Sequence, residues 1–201
     1  VDGVQVAYGK DVKLVAGYGK AANKNSVTDD GTGNNAKDTY YAELSGKVEN
    51  LSLAAGYYNF ENVKEAKDVD DTIWTVAANY AFDKNFKLGA MYLNGDKDKY
   101  NGDDDGFVVT ASYKGAKAAK AGSWGLVAKY YDQGFSTYID HTMNGYADKY
   151  ASTTEGFKGY SVAANYTFAK NIVGQVEWYD LEAKEGNKDA QTLWSQVVFT
   201  F

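Results

Sequence analysis

Six charged side chains fall inside short apolar segments: Lys13, Glu43, Lys87, Lys114, Lys129 and Glu177. The run Leu126-Val127-Ala128-Lys129-Tyr130 is typical of their surroundings. Successive side chains of a strand point to opposite faces. These charges therefore share one face with Ser45, Thr75, Asn79, Thr110, Ser112, Ser161, Asn165 and Gln175, and the other face is left to Leu, Val, Ala and aromatic residues. Fixed charges along a wetted wall set which ions pass it. The plainer alternative is that any polar wall carries some charge for solvation.

Catalytic and metal chemistry find less to work with. His141 is the single histidine, in Asp140-His141-Thr142, and no nucleophile, base and oxyanion-hole set can be assembled around it from spacing. No enzyme and no cofactor are expected. The run from Asp96 through Asp98 and Asp103 to Asp105 is a weak candidate for a calcium loop. Its glycine is displaced by one position and the required later Glu is missing. A solvated acidic loop is the ordinary reading there, as it is for Asp68, Asp70 and Asp71.

Composition bounds the remaining classes. The 201 residues suit one all-β domain spanning 1–201. Cysteine and proline are absent, which excludes disulfides and thiolate metal sites. Every basic residue is lysine, and the net charge of -6 argues against a nucleic-acid partner. No run of about 20 apolar residues could form a membrane helix. A barrel strand needs only about 9 to 11 residues and is apolar on one face, so its signal is diluted by half. Val1 carries no signal peptide, so the expectation is a mature chain or one that begins inside a longer one.

About eleven strands are needed to place these residues. Val4–Gly9 and Val12–Tyr18 are joined by Lys10-Asp11; Asp38–Gly46 and Asn50–Glu61 by Lys47-Val48-Glu49; Asp71–Phe82 and Phe86–Gly95 by Asp83-Lys84-Asn85. Gly106–Gly115 and Ser123–Asp132 follow, joined by a Lys/Ala/Gly link, then Phe157–Phe168, Asn171–Glu182 and Asp189–Phe201. Short turns alternate with long, mostly acidic loops. Val76-Ala77-Ala78-Asn79-Tyr80-Ala81-Phe82 is echoed by Val162-Ala163-Ala164-Asn165-Tyr166-Thr167-Phe168. Repeated hairpins of this kind predict an up-and-down antiparallel meander.

Aromatic residues gather at the strand ends. Tyr8, Tyr80, Phe82, Phe86, Tyr113, Tyr166, Phe168 and Phe201 lie near the short turns. Tyr18, Tyr57, Tyr58, Tyr92, Tyr130, Tyr131, Trp178 and Tyr179 lie near the long loops. An apolar band of roughly 25 Å between two aromatic girdles is the layout of a transmembrane β-barrel. A soluble sandwich or lipocalin-like binding barrel, with the apolar face turned inward, is the alternative.

The last strand, LWSQVVFTF, puts Leu193, Val197, Phe199 and Phe201 on one face and stops on an aromatic residue. This ending, the aromatic-ended hairpins, the tight turns and the acidic loops resemble a bacterial outer-membrane porin. Leu14-Val15-Ala16-Gly17-Tyr18-Gly19-Lys20 and Val76-Ala77-Ala78-Asn79-Tyr80 look closest to the barrel of the S-layer-homology porins of diderm Firmicutes (the Veillonella and Selenomonas group). The resemblance implies a porin-like barrel of about sixteen strands in the bacterial outer membrane, assembled as a homotrimer. It implies passive diffusion of small hydrophilic solutes and ions, with outer-membrane lipids and the outer-membrane assembly machinery as partners. It makes Val197, Phe199 and Phe201 the assembly signal. The S-layer-homology domain, the stalk and the arginine ladder of classical porins have no counterpart here, so a wall-tethering role is not carried over. A structural or anchoring barrel with a narrow or plugged lumen stays open as a second expectation. Strand parity adds a third inference. Eleven strands cannot put both chain ends on the periplasmic side, so at least one strand is expected upstream of Val4 and the chain is expected to be the C-terminal part of a larger barrel.

Overall fold

In a computed structural model the described residues are all-β: eleven strands form one antiparallel sheet in strict sequence order. The structure describes residues 2–20, 38–60, 71–95, 103–138, 156–185 and 189–201. His141, Asp96, Asp98, Asp68 and Asp70 lie outside them. The strands are β1 (Asp2–Gly9), β2 (Val12–Lys20), β3 (Thr39–Val48), β4 (Leu51–Phe60), β5 (Asp71–Ala81) and β6 (Phe86–Gly95). They continue as β7 (Asp105–Lys114), β8 (Trp124–Gln133), β9 (Phe157–Ala169), β10 (Ile172–Ala183) and β11 (Asp189–Phe199). The sheet is not closed. Among the described residues β1 and β11 each pair on one side only.

The register runs without a slip from β1 to β9, and the one irregularity among the described strands falls between Ile172 and Val173, where Phe168 is left out of the ladder. One-face alternation is the reason: a shift by one residue would turn every apolar side chain of a strand over.

Turn chemistry sets the short ends. Asp83 Oδ1 accepts from the amides of Asn85 at 2.6 Å and Phe86 at 2.7 Å. Those bonds, Phe86 first, hold its carboxyl below the usual aspartate range. Between β7 and β8, Ser123 Oγ binds the amide of Lys117 and the carbonyl of Lys120, both at 2.7 Å, and meets Thr167 Oγ1 at 3.0 Å. The Lys/Ala/Gly link is thus a folded knot against β9. The expected link Lys47-Val48-Glu49 is tighter than composition suggests. Val48 still pairs with Leu51, and the turn is Glu49-Asn50 with Glu49 at φ 50°.

Candidate functional site

The register sorts every strand residue onto one of two faces. On the first, Ala16, Ala42, Tyr57, Trp74, Asn94 and Asp105 form one continuous row across β2 to β7. That face carries almost all the exposed large apolar side chains, among them Val76 (61%), Leu193 (65%) and Leu126 (44%); Val198 is the exception. The second face is the less exposed one from β2 onward, most of all in the middle of the sheet. Along β8 Leu126, Ala128 and Tyr130 are exposed while Val127, Lys129 and Tyr131 are half-buried. The large apolar side chains thus crowd the more exposed face.

Two aromatic belts border the exposed face. At the short-turn end rings meet in the pairs Tyr80–Phe82 (4.9 Å), Phe82–Phe86 (5.4 Å), Tyr113–Trp124 (5.9 Å) and Tyr166–Phe168 (5.3 Å). At the long-loop end the pairs are Tyr40–Tyr57 (6.2 Å), Tyr57–Trp74 (4.5 Å) and Phe107–Tyr130 (6.0 Å). Tyr8, Tyr18, Tyr92 and Trp178 also lie on this face. Tyr58, Tyr131 and Tyr179, placed in the loop-side belt by sequence, face the other way. Each follows an outward aromatic neighbour, so alternation turns it inward. Trp74 and Tyr80 are six residues apart on β5, roughly 20 Å along the strand. The aliphatic band is therefore thinner than the expected 25 Å. Val197 and Phe199 sit on the exposed face of β11, and Phe201 lies just past its end.

The six charged residues do not make one ring. Glu43 and Lys129 occupy the middle of the sheltered face, in half-buried positions. Lys13 and Lys87 stand at the short-turn ends of β2 and β6 and are exposed. Lys114 leaves the sheltered face altogether. Its backbone is left-handed (φ 57°), and its ammonium lies over the Trp124 ring at 4.3 Å and the Tyr113 ring at 5.3 Å, in the outer aromatic belt. Glu177 is only 6% exposed. Its carboxylate accepts from Ser161 Oγ at 2.9 Å and Gln175 Nε2 at 3.2 Å. Gln196 Nε2 donates on to Gln175 Oε1 at 3.1 Å, and Tyr131 Oη meets Ser161 Oγ at 3.3 Å. Glu177 is the hub of a hydrogen-bonded chain across β8 to β11, which supplies a buried carboxylate with polar partners.

The long-loop end of the sheltered face holds elements that sequence did not foretell. After β8 the chain makes a single 3-10 turn, Phe135–Thr137, that packs against β5, β6 and β7. Thr137 is 2% exposed, and Ser136 Oγ donates to the Asp103 carbonyl at 3.5 Å. Phe157, Leu181 and Ala183 form a small buried cluster with Tyr131, Tyr138 and Tyr179 around it. Lys184 ties the rim together, bonding Asp103 at 3.0 Å and Asp132. Burial pulls the Lys184 ammonium down, but the hydrogen bonds to Asp132 and Asp103 outweigh it and raise its pKa. Asp103, the described member of the acidic candidate set, is thus spent on Lys184. Among the described residues no group of acidic or histidine side chains could hold a metal ion.

No protein-family model matches this chain, and no curated protein matches it in sequence.

Proposed function

We propose that this chain is wall of a bacterial outer-membrane β-barrel, a porin through which small hydrophilic solutes and ions diffuse passively. One observation carries the reading: an exposed, mostly apolar face bordered by two aromatic belts, backed from β2 onward by a less exposed face that carries most of the polar side chains. Burying that apolar face in lipid removes from water a surface no soluble domain would leave bare. The polar face then needs water or a polar solute against it. A soluble binding barrel would need the opposite arrangement.

The larger barrel and the trimer belong to the same proposal. β1 and β11 run in the same direction, since strand direction alternates through an eleven-stranded antiparallel sheet. Antiparallel closure takes an odd number of further strands, and a barrel of about sixteen takes five. The assembly machinery would read Val197 and Phe199 on the exposed side of β11, with Phe201 just past its end. Charges at mid-wall, Glu43 and Lys129, would bias which ions pass.

Single-channel recording in planar bilayers tests this, with the full-length protein from detergent. Stepwise ohmic openings support it; insertion with negligible conductance refutes it. The anchoring or plugged barrel is the second reading, favoured by the 3-10 turn and the Phe157–Leu181 cluster on the sheltered face. That reading predicts insertion without current.

A further inference from the structure

Tyr41 on β3 and Tyr58 on β4 stand directly opposite each other on the sheltered face. Neither ring projects straight away from the wall. Tyr41 leans across β2 over Gly17, where a Cβ would collide with its Cε1 and Cζ, and its hydroxyl donates to Gln5 Oε1 on β1 at 2.7 Å. Tyr58 leans over Gly56 on its own strand, where a Cβ would again meet the ring, and its hydroxyl donates to Glu43 Oε1 at 2.6 Å. The two glycines make room for rings laid against the backbone. The ring planes differ by only 18° and the centroids are 6.0 Å apart. The rings cover different glycines on different strands, Gly17 on β2 and Gly56 on β4, and their planes are near-parallel. Each ring therefore has part of its edge or face against the wall at its glycine.

We propose that Tyr41 and Tyr58 form a flat platform that binds the pyranose rings of a neutral oligosaccharide, with Glu43 and Gln5 bonding the sugar hydroxyls. The proposal rests on the sheltered face being a wetted wall, and it names a solute class for it. Aromatic faces carry partial negative charge. The apolar face of a pyranose offers polarised C–H groups to them, and its equatorial hydroxyls radiate toward the rim. At that rim Glu43 keeps Oε2 and Gln5 keeps its amide donors beyond the bonds already made. A cation would favour rings set at angles around it as a cage. Near-parallel rings present a flatter surface instead. Lys13 and Glu43 occupy neighbouring rows of the same face, so that surface is close to neutral.

The test is titration of the full-length protein, folded in detergent micelles, with maltohexaose, read by calorimetry and by saturation-transfer NMR. The expected result is saturable binding that falls about tenfold or more in Tyr41→Leu and in Tyr58→Leu, which keep apolar bulk and lose the ring face. Tyr58→Phe should lose less than about threefold, since it keeps the face and drops one hydrogen bond. Tyr131→Leu, elsewhere on the same wall, should bind as the parent does. Absence of binding by the parent, leucine variants that bind equally well, or binding of choline in place of the sugar would each overturn the proposal. If the leucine variants do not fold, the parent decides alone: saturation must pass between tyrosine rings and sugar protons, and its failure to do so refutes the platform. Conductance measured in parallel separates the two ideas. Current without sugar binding removes the platform and leaves the pore; sugar binding without current does the reverse.

Discussion

Lysine introduced at position 78 is the sharpest probe of which face meets lipid. Ala78 lies on the exposed face of β5, paired with Leu53 and Ala90, two residues from Tyr80 and four from Trp74. It sits about 3 Å along the strand from the centre of the band between the belts. A lysine near the midplane of a membrane barrel costs about 2–4 kcal/mol, falling toward the interfaces. Its distance from the centre puts the expected loss at about 2–3 kcal/mol. Ala77, one residue earlier, faces the sheltered side between Ala54 and Met91. Ala77→Lys is expected to lose about 1 kcal/mol or less, because a wetted wall tolerates charge. The assay is guanidinium unfolding of protein folded into phospholipid vesicles, followed by tryptophan fluorescence, with the two variants compared at equal slope. On a water-exposed face Ala78→Lys would stay within about 0.5 kcal/mol of the parent. Equal stabilities for the two lysine variants would refute the assignment of faces.

Four further outcomes follow from the same geometry. Lys129→Glu should shift reversal potentials in a salt gradient toward cations while stability changes by about 0.5 kcal/mol or less, since Lys129 stands half-buried on a polar wall. Glu177→Ala should do the opposite: it strands Ser161 and Gln175, costing about 2–3 kcal/mol in unfolding experiments with little change in ion preference. Lys184→Met should lower stability by about 1–2 kcal/mol and speed proteolysis of the long-loop rim. The Lys184 pKa is raised on folding, so its contribution is complete below the ordinary lysine value of 10.5 and is lost as pH rises through the higher folded value; melting temperatures of parent and Lys184→Met should converge only in that alkaline range. The thin aliphatic band predicts faster insertion into di-C12 than into di-C18 phosphatidylcholine vesicles, and equal rates would argue against it.

Much of the fold is written in side-chain parity. Runs such as Trp74, Val76, Ala78 and Tyr80 alternate with Thr75, Ala77 and Asn79, and strand bounds read from them fall within one or two residues of those observed. Deviations cluster at turns, where composition misleads: Val48 reads as link but pairs with Leu51, because pairing depends on the partner strand and not on local propensity. Tyr40-Tyr41, Tyr57-Tyr58, Tyr130-Tyr131 and Trp178-Tyr179 are the signal that was available and missed. An aromatic doublet in a strand must send one ring to each face. How those inward rings lean, over Gly17 and Gly56, is fixed by neighbouring strands and is not readable locally. The same holds for Lys114, whose left-handed backbone carries it out of the wall, and for Glu177, whose burial depends on Ser161 and Gln175 from the assembled sheet. The 3-10 turn at Phe135–Thr137 has no periodicity to announce it; only its contacts with β5, β6 and β7 give it a place.

The chain has no cysteine, so single cysteines introduced along β8 report without interference. Placed at Leu126, Val127, Ala128 and Lys129 in vesicle-reconstituted protein, they test the central claim directly. A membrane-impermeant charged thiol reagent should modify positions 127 and 129 quickly and reduce channel conductance, while 126 and 128 react slowly and only with a lipophilic maleimide. Uniform reactivity with the charged reagent at all four positions would place both faces in water and contradict the account.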